Sequence, residues 1–369
     1  GPVGRWRLIC SGEGARAEKA PQGEPAPSRV KADATTLCDV IDEKTDAAAA
    51  FAEMKIVATR MPHFLAFTQS LKAQNYQKVI AAAVAACPVK VRSQLIDSTF
   101  HGKPLIVHHE HAEAYALATN DENPKYFRGK TDQTETPPLL AVRYHFDLIR
   151  EVFGDPGLEV DMMRLVHGEQ EMIFHLPLRP GDVIAPKAAI HTVEHKDSGS
   201  LLTLRFRLMR EGELANETFS RYFVRRAAAG GKKSKKEAPV STMDKPDFEE
   251  TIEVRADQSR AYAEASLDNN PIHINEDIAK AAGFPGVILH GLCTLAFASQ
   301  AVVNNVAGGD PTRLASIKAR FSKPVLMGDR LVTCGKKVGA HDGTTGIAFE
   351  TLNQDGAVVI AMGLAKVRA

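Results

Sequence analysis

The sequence predicts an α+β protein in which one fold, a long helix beside four or five antiparallel strands, occurs twice. Three observations carry that expectation. The chain's 369 residues exceed the roughly 100–200 typical of one domain. Shifting it by 147 residues lays residues 107–199 on 254–346 without a gap. Each repeat reads first as amphipathic helix and then as runs rich in Val, Ile, Thr and Phe, broken by turn residues.

The overlaid stretches share fifteen identities in 93 positions, against about six expected from composition. Their clustering matters more than their number. Ala-Tyr-Ala-x-Ala-x-x-Asp-x-Asn-Pro begins at Ala114 and at Ala261, and Phe-x-x-Pro-x-x-x-Gly-Asp begins at Phe174 and at Phe321.

Residues 1–60, rich in Ala, Pro, Glu and Lys without a sustained apolar period, are expected to be mostly disordered. Apolar residues spaced three and four apart over 64–86 predict one or two helices ending before Pro88. They open a first folded unit, 61–226. Residues 227–246 mix Ala, Gly, Ser and Pro with Lys and read as a solvated linker. In the second unit, 247–369, a strand at 251–255 leads to a helix over 258–266. A turn at Asp268-Asn269-Asn270-Pro271 and a long apolar helix near 292–303 follow. Strands then fill 314–366, with turns at Met327-Gly328-Asp329, Asp342-Gly343 and Gln354-Asp355-Gly356. The first unit is expected to repeat this order. An amphipathic sheet buries one face against a helix, which makes each unit a layer of each kind.

With 46 basic and 45 acidic side chains, the net charge gives no general attraction for nucleic acid or anionic lipid. Five scattered cysteines without a CxxC pair argue against a disulfide framework or zinc ribbon and for a reducing compartment. No apolar run is long enough to cross a bilayer. The expected location is cytoplasmic, with the peroxisome open for a eukaryotic source although Lys366-Val367-Arg368-Ala369 is not a Ser-Lys-Leu type signal.

The chemistry concentrates in Asp268-Asn269-Asn270-Pro271-Ile272-His273, where a turn can aim a carboxylate and an imidazole at one point and hold a water between them. His290-Gly291 stands at the expected start of the long helix. There a glycine lets a carbonyl approach the backbone, and free N–H groups favour a developing oxyanion.

These residues, with Phe284-Pro285-Gly286-x-Ile288-x-His290-Gly291 and Lys323-Pro324-Val325-x-x-Gly328-Asp329, resemble the MaoC-like (R)-specific enoyl-CoA hydratase family, also called hydratase 2. The resemblance covers 248–369 strongly. The first copy, with His167-Gly168-Glu169-Gln170, is similar to the N-terminal half of double-hotdog members. It implies two tandem hotdog folds forming a pseudo-dimer, either alone or as a homodimer of such chains. The implied reaction is reversible syn addition of water to a trans-2-enoyl-CoA giving (3R)-3-hydroxyacyl-CoA, the thioester being substrate and no cofactor being needed. It further implies that Asp268 and His273 activate water and deliver the proton, with Asn270 fixing their geometry. Gly291 N–H becomes the oxyanion donor, and Ser299 a supporting polar residue. Leu267, where many members carry a small residue, is a departure expected to affect packing. The first copy has Tyr126 for His273 and Arg143-Tyr144 for His290-Gly291, so it is expected to lack activity and to shape the acyl pocket, with residues 120–138 lacking a helical period.

His108-His109-Glu110-His111 offers metal-ligand types, but its repeat equivalents and exposed position make it a surface feature, and no metal is expected. Lys318, Arg320 and Lys323 are either a solvated strand face or partners of CoA phosphates. Cys293, with no base nearby in sequence, is read as helix packing. A carrier-protein dehydratase, a hotdog thioesterase and a non-catalytic acyl-CoA binding scaffold are the alternative functions.

Overall fold

In both halves the strands alternate buried and exposed side chains, so one face of a continuous sheet is apolar. The computed structural model describes residues 6–11, 14–19, 30–32, 56–58, 88–196, 198–226, 241 and 243–369. The helices expected at 64–86 and most of the 227–246 linker lie outside them. Within the first 60 residues, Trp6–Ser11 pairs with Gly14–Lys19 and Val30–Ala32 with Ile56–Ala58. The period-two spacing of Trp6, Leu8 and Cys10 suits the first strand, a local pattern that the polar composition of the stretch obscures.

The first half supplies α1 (His109–Ala118), α2 (Phe146–Gly154) and strands β1 (Leu165–Phe174), β2 (Val183–Lys196), β3 (Gly199–Arg210) and β4 (Glu213–Arg225). The second supplies β5 (Phe248–Glu253), α3 (Gln258–Ser266), α4 (Glu276–Ala281), α5 (Gly291–Val306), β6 (Leu314–Phe321), β7 (Arg330–His341), β8 (Thr344–Leu352) and β9 (Val358–Arg368). These nine strands run in the order β5-β7-β8-β9-β6-β1-β4-β3-β2. The short strands Phe100–His101 and Leu105–Ile106 also pair with β2, completing an eleven-stranded sheet. Asp342 and Gly343 both take positive φ between β7 and β8, as a two-residue type I′ hairpin requires.

The repeat register survives in three dimensions. Gly181 N and Gly328 N donate to Val107 O and Val254 O at 2.8 and 2.9 Å, while Asp182 Oδ2 and Asp329 Oδ2 accept from Arg179 N and Leu326 N, each at 2.8 Å. β1 and β6 meet antiparallel at the centre of the sheet, with Lys318 opposite Glu171. On the helix layer, the hydroxyls of Tyr115 and Tyr262 hydrogen-bond at 3.0 Å. Both pairs are 147 residues apart, and under two-fold symmetry only residues on the axis meet their own equivalents. The axis therefore passes through both contacts, and the halves relate as two subunits of a dimer.

The halves differ where the long helix was expected twice. In the second, α5 runs sixteen residues with eleven of them buried. In the first, a 3₁₀ segment, Pro138–His145, precedes the nine-residue α2. Pro137 and Pro138 withhold backbone donors at its start, and Pro156-Gly157 prevents its extension. Between Pro124–Tyr126 and Pro138 the chain has no helix, whereas the second half places α4 in the equivalent stretch.

Leu267 matters through its backbone. It closes α3 in the left-handed region, φ 68 and ψ 13, and its repeat equivalent Asn120 has φ 54. Asparagine tolerates that region, but for leucine the Cβ meets the carbonyl at a cost of roughly 1–2 kcal/mol. Replacing Leu267 by Gly, which loses about 0.5–1 kcal/mol in chain entropy, should raise unfolding stability by about 0.5–1 kcal/mol, measured by denaturant titration. An unchanged or lower midpoint would show that the Leu side chain's contacts outweigh the relieved backbone.

Candidate active site

The seven residues after α3 form two nested caps. Asp268 Oδ1 accepts from Asn270 N and Asn270 Oδ1 from Ile272 N, each at 3.3 Å, which sets up the 3₁₀ turn Pro271–His273. Asn270 itself is exposed, and its action on the pair runs through the backbone. The turn buries His273, whose Nδ1–H donates to Ile288 O at 2.8 Å. That bond fixes the tautomer and leaves Nε2 as the free nitrogen.

His290, named in the sequence motif but given no role there, completes the arrangement. Its ring stacks on His273 at 3.9 Å, and its Nε2–H donates to Asp268 O at 2.9 Å. Ser259 Oγ donates to His273 O at 2.6 Å, holding the turn from α3. Side-chain atoms of Asp268, His273 and His290 lie within 4.8 Å of one another. Among the described residues this is the only trio compact enough to hold a metal. Each imidazole already spends one ring nitrogen on a backbone carbonyl, His273 Nδ1 on Ile288 O and His290 Nε2 on Asp268 O.

Burial dominates the electrostatics. It raises the carboxyl of Asp268 above the usual carboxylate range, opposed by the charge of His273 and the Asn270 N–H. It lowers the His273 imidazole, opposed by Asp268 and the Ile288 carbonyl. His290 falls well below the usual histidine value for the same reason and serves as a neutral buttress. Because desolvation disfavours two separated charges, the pair is suited to trading one proton.

Gly291 opens α5 beside this pair, with His290 as its N-cap. The first N–H groups of a helix have no intrahelical acceptor, so this one can meet an oxyanion. A Cβ at Gly291 would lie 3.0 Å from the Phe321 ring, so any larger residue there needs the ring or the helix start to give way.

The first half contributes to the same place. His167 on β1 lies 5.1 Å from the Phe321 ring and 4.8 Å from that of Tyr222 on β4. Its Nε2–H donates to Gln170 Oε1 at 3.1 Å, which also accepts from Ser220 at 2.8 Å. Burial, with the charge of His273 adding to it, brings His167 down to about 4, and burial with the charge of Asp268 raises Tyr222. Nothing local in the sequence marks His167 and Tyr222 as neighbours of Asp268, because only sheet closure brings them there.

Ser299 is not part of the cluster. Eight residues beyond Gly291 on one helix, it lies about 12 Å along the axis. Its hydroxyl is buried without a hydrogen-bond partner among the described residues, in a cavity it shares with Asp121, Tyr126 and Gln300. This is the first half's counterpart of the Asp268 site. There burial lifts Asp121 to about 6, and Tyr126 is fully buried where His273 stands in the other copy. Lys318 pairs with Glu171 at 3.5 Å, while Arg320 and Lys323 are exposed. Cys293 is buried with its thiol pushed well up, inert as helix packing should be.

The family profile described as MaoC like domain matches residues 238–357, and that described as FAS1-like, dehydratase domain region matches 94–215. A probable enoyl-CoA hydratase 2 from Dictyostelium discoideum is 32% identical over 260 residues, 68% of this chain and 87% of that protein. A peroxisomal enoyl-CoA hydratase 2 from Arabidopsis thaliana is 31% identical over 221 residues, 56% of this chain and 71% of its own. A MaoC-like dehydratase from Phytophthora capsici superposes with a TM-score of 0.64 at 25% identity, covering 76% of this chain and 98% of that structure.

Proposed function

Because the chain belongs to the MaoC-like enoyl-CoA hydratase 2 family, we propose that it is a hydro-lyase that reversibly hydrates trans-2-enoyl-CoA to (3R)-3-hydroxyacyl-CoA. The observation that carries this reading is the buried Asp268–His273 pair beside the first N–H of α5. A water held by the pair adds its oxygen to C3 of the enoyl group. The pair takes the water's proton and returns a proton to C2 on the same face, so it is restored at each turnover. Negative charge that builds on the thioester oxygen is met by Gly291 N–H and the α5 dipole. Asn270 acts as the cap that shapes the turn, and His290 holds the Asp268 backbone. Ser299 belongs to the opposite cavity and takes no part in proton transfer.

Three features support the remaining assignments. The shortened α2 and the helix-free stretch before Pro138 leave the first half without the elements that fill the second, which suits it to accommodate the acyl chain. Arg320 and Lys323 are exposed cations near the β1–β6 seam, suited to the phosphates of CoA; Lys318 would have to leave Glu171 to join them. A peroxisomal setting, as for the Arabidopsis relative, accords with this chemistry, and no helix of the described residues is long and apolar enough to cross a membrane. The test is the loss of enoyl absorbance with trans-2-enoyl-CoA substrates of four to sixteen carbons, followed by oxidation of the product with dehydrogenases specific for each 3-hydroxy configuration. Product oxidised only by the 3R-specific enzyme is expected; a 3S product, or release of free thiol in place of hydration, would overturn the reading.

A further inference from the structure

We propose that Arg143, in the half without the Asp–His pair, is a positioning residue for Asp268, so that the first half holds the catalytic loop of the second in place. The inference rests on the assignment of Asp268 made above. Arg143 lies in the 3₁₀ segment Pro138–His145. Its Nη1 crosses the seam to donate to Ala265 O at 2.6 Å and to Glu264 O at 3.3 Å. These carbonyls belong to the last turn of α3, where helix carbonyls lack intrahelical donors and a cation is favoured by the dipole.

Two residues beyond Ala265 the backbone enters the left-handed conformation of Leu267, and the next residue is Asp268. A strained conformation persists only where its surroundings over-determine it. Here the ties are Leu267 N to Ala263 O at 2.9 Å, Asp268 N to Ser266 Oγ at 3.2 Å and His290 to Asp268 O, all within the second half. Arg143 adds the grip from the other half. It is also the repeat equivalent of His290. The same position in the two copies therefore holds one loop at two points, His290 at the Asp268 carbonyl and Arg143 at the end of α3. The substitution that removes the imidazole from the first copy thereby gives that copy a part in holding the second.

The seam also supplies a control. Arg255 Nη1 donates to Leu117 O at 3.1 Å, and Leu117 is the repeat equivalent of Glu264. Arg255 thus grips the corresponding turn of the copy that lacks the catalytic pair. Arg143→Met and Arg255→Met together separate positioning of Asp268 from general docking of the halves.

Steady-state hydration by the full chain provides the test, with Asp268→Asn measured beside it. Since misplacing a reacting group by about 1 Å costs on the order of 100-fold, Arg143→Met should lower kcat about tenfold or more with KM within about twofold. Added guanidinium ion should restore part of the loss, and Arg255→Met should keep kcat within about twofold of wild type. Wild-type kcat in Arg143→Met, or equal losses in the two variants, would overturn the proposal. Should Arg143→Met fail to fold, Arg143→Leu, which likewise removes every donor, is measured in its place, and wild-type kcat there overturns the proposal in the same way. Full activity in Asp268→Asn would instead remove the assignment of Asp268, independently of what Arg143 does.

Discussion

Asp268→Asn and His273→Ala are each expected to lower the kcat of enoyl-CoA hydration by about 10²–10⁴-fold, the range for loss of a general acid or base, while the variants remain folded. Asparagine keeps an oxygen to accept the Asn270 N–H, so the turn should survive. The same substitution should not lower stability near neutral pH. The folded-state pKa of Asp268 is raised by burial, so over the interval from the unfolded carboxyl value, about 3.9, up to that raised value the folded state binds more protons than the unfolded one. Stability therefore falls as pH rises through the interval, and the full cost is present above it. His273 works in the opposite sense: its folded pKa is lowered, so its cost is present in acid and relieved as pH rises towards the unfolded value of about 6.5. Melting curves of wild type and Asp268→Asn across pH would then diverge as pH rises above the ordinary carboxyl range, with the variant the more stable. A less stable variant at neutral pH would contradict this account of the carboxyl.

Gly291→Ala is expected to cost about 10²–10³-fold in kcat, as for loss of one oxyanion donor. The added Cβ would stand 3.0 Å from the Phe321 ring, a contact that the ring or the first turn of α5 must relieve by moving. Phe321 is itself bounded by His167 of the first half, so the helix start is the more exposed to displacement, and with it the N–H that meets the thioester oxygen. Phe321→Leu in the Gly291→Ala background should recover part of the lost kcat if the clash is the cause. Recovery in the double variant, compared with each single variant under saturating substrate, separates this steric effect from a loss of helix stability.

The fold was legible where chemistry repeats at a fixed interval. The recurring Gly-Asp turns and the Ala-Tyr-Ala helices share a 147-residue register, and the Tyr115–Tyr262 contact shows that this register carries the two-fold axis. The Asp-Asn-Pro-His turn was legible too, because its two caps are local, Asp268 Oδ1 to Asn270 N and Asn270 Oδ1 to Ile272 N, whereas the bonds from Ser259, Ile288 and His290 that hold it come from farther along the chain. What sequence separation concealed were the contributions across the seam. His167, Tyr222 and Arg143 reach the site only because β1 and β6 join the halves into one sheet. Ser299, two helical turns from Gly291, lines the cavity of Asp121 and Tyr126, and Pro156-Gly157 stops the first half's helix well short of sixteen residues. Leu267 illustrates a different limit, since a residue's identity does not reveal its φ. Only the equivalence to Asn120, a residue tolerant of the left-handed region, hinted at it.

The chain holds two copies of one fold, and only the second pairs the buried aspartate with an imidazole. Asp121 and Asp268 are repeat equivalents, both shifted upward by burial, but only Asp268 has an imidazole partner. The most direct measurement compares the kcat of trans-2-enoyl-CoA hydration by Asp268→Asn and Asp121→Asn under identical conditions. The account predicts loss of at least about 100-fold in the first and activity within a few-fold of wild type in the second. A wild-type rate in Asp268→Asn, or equal losses in both, would contradict it.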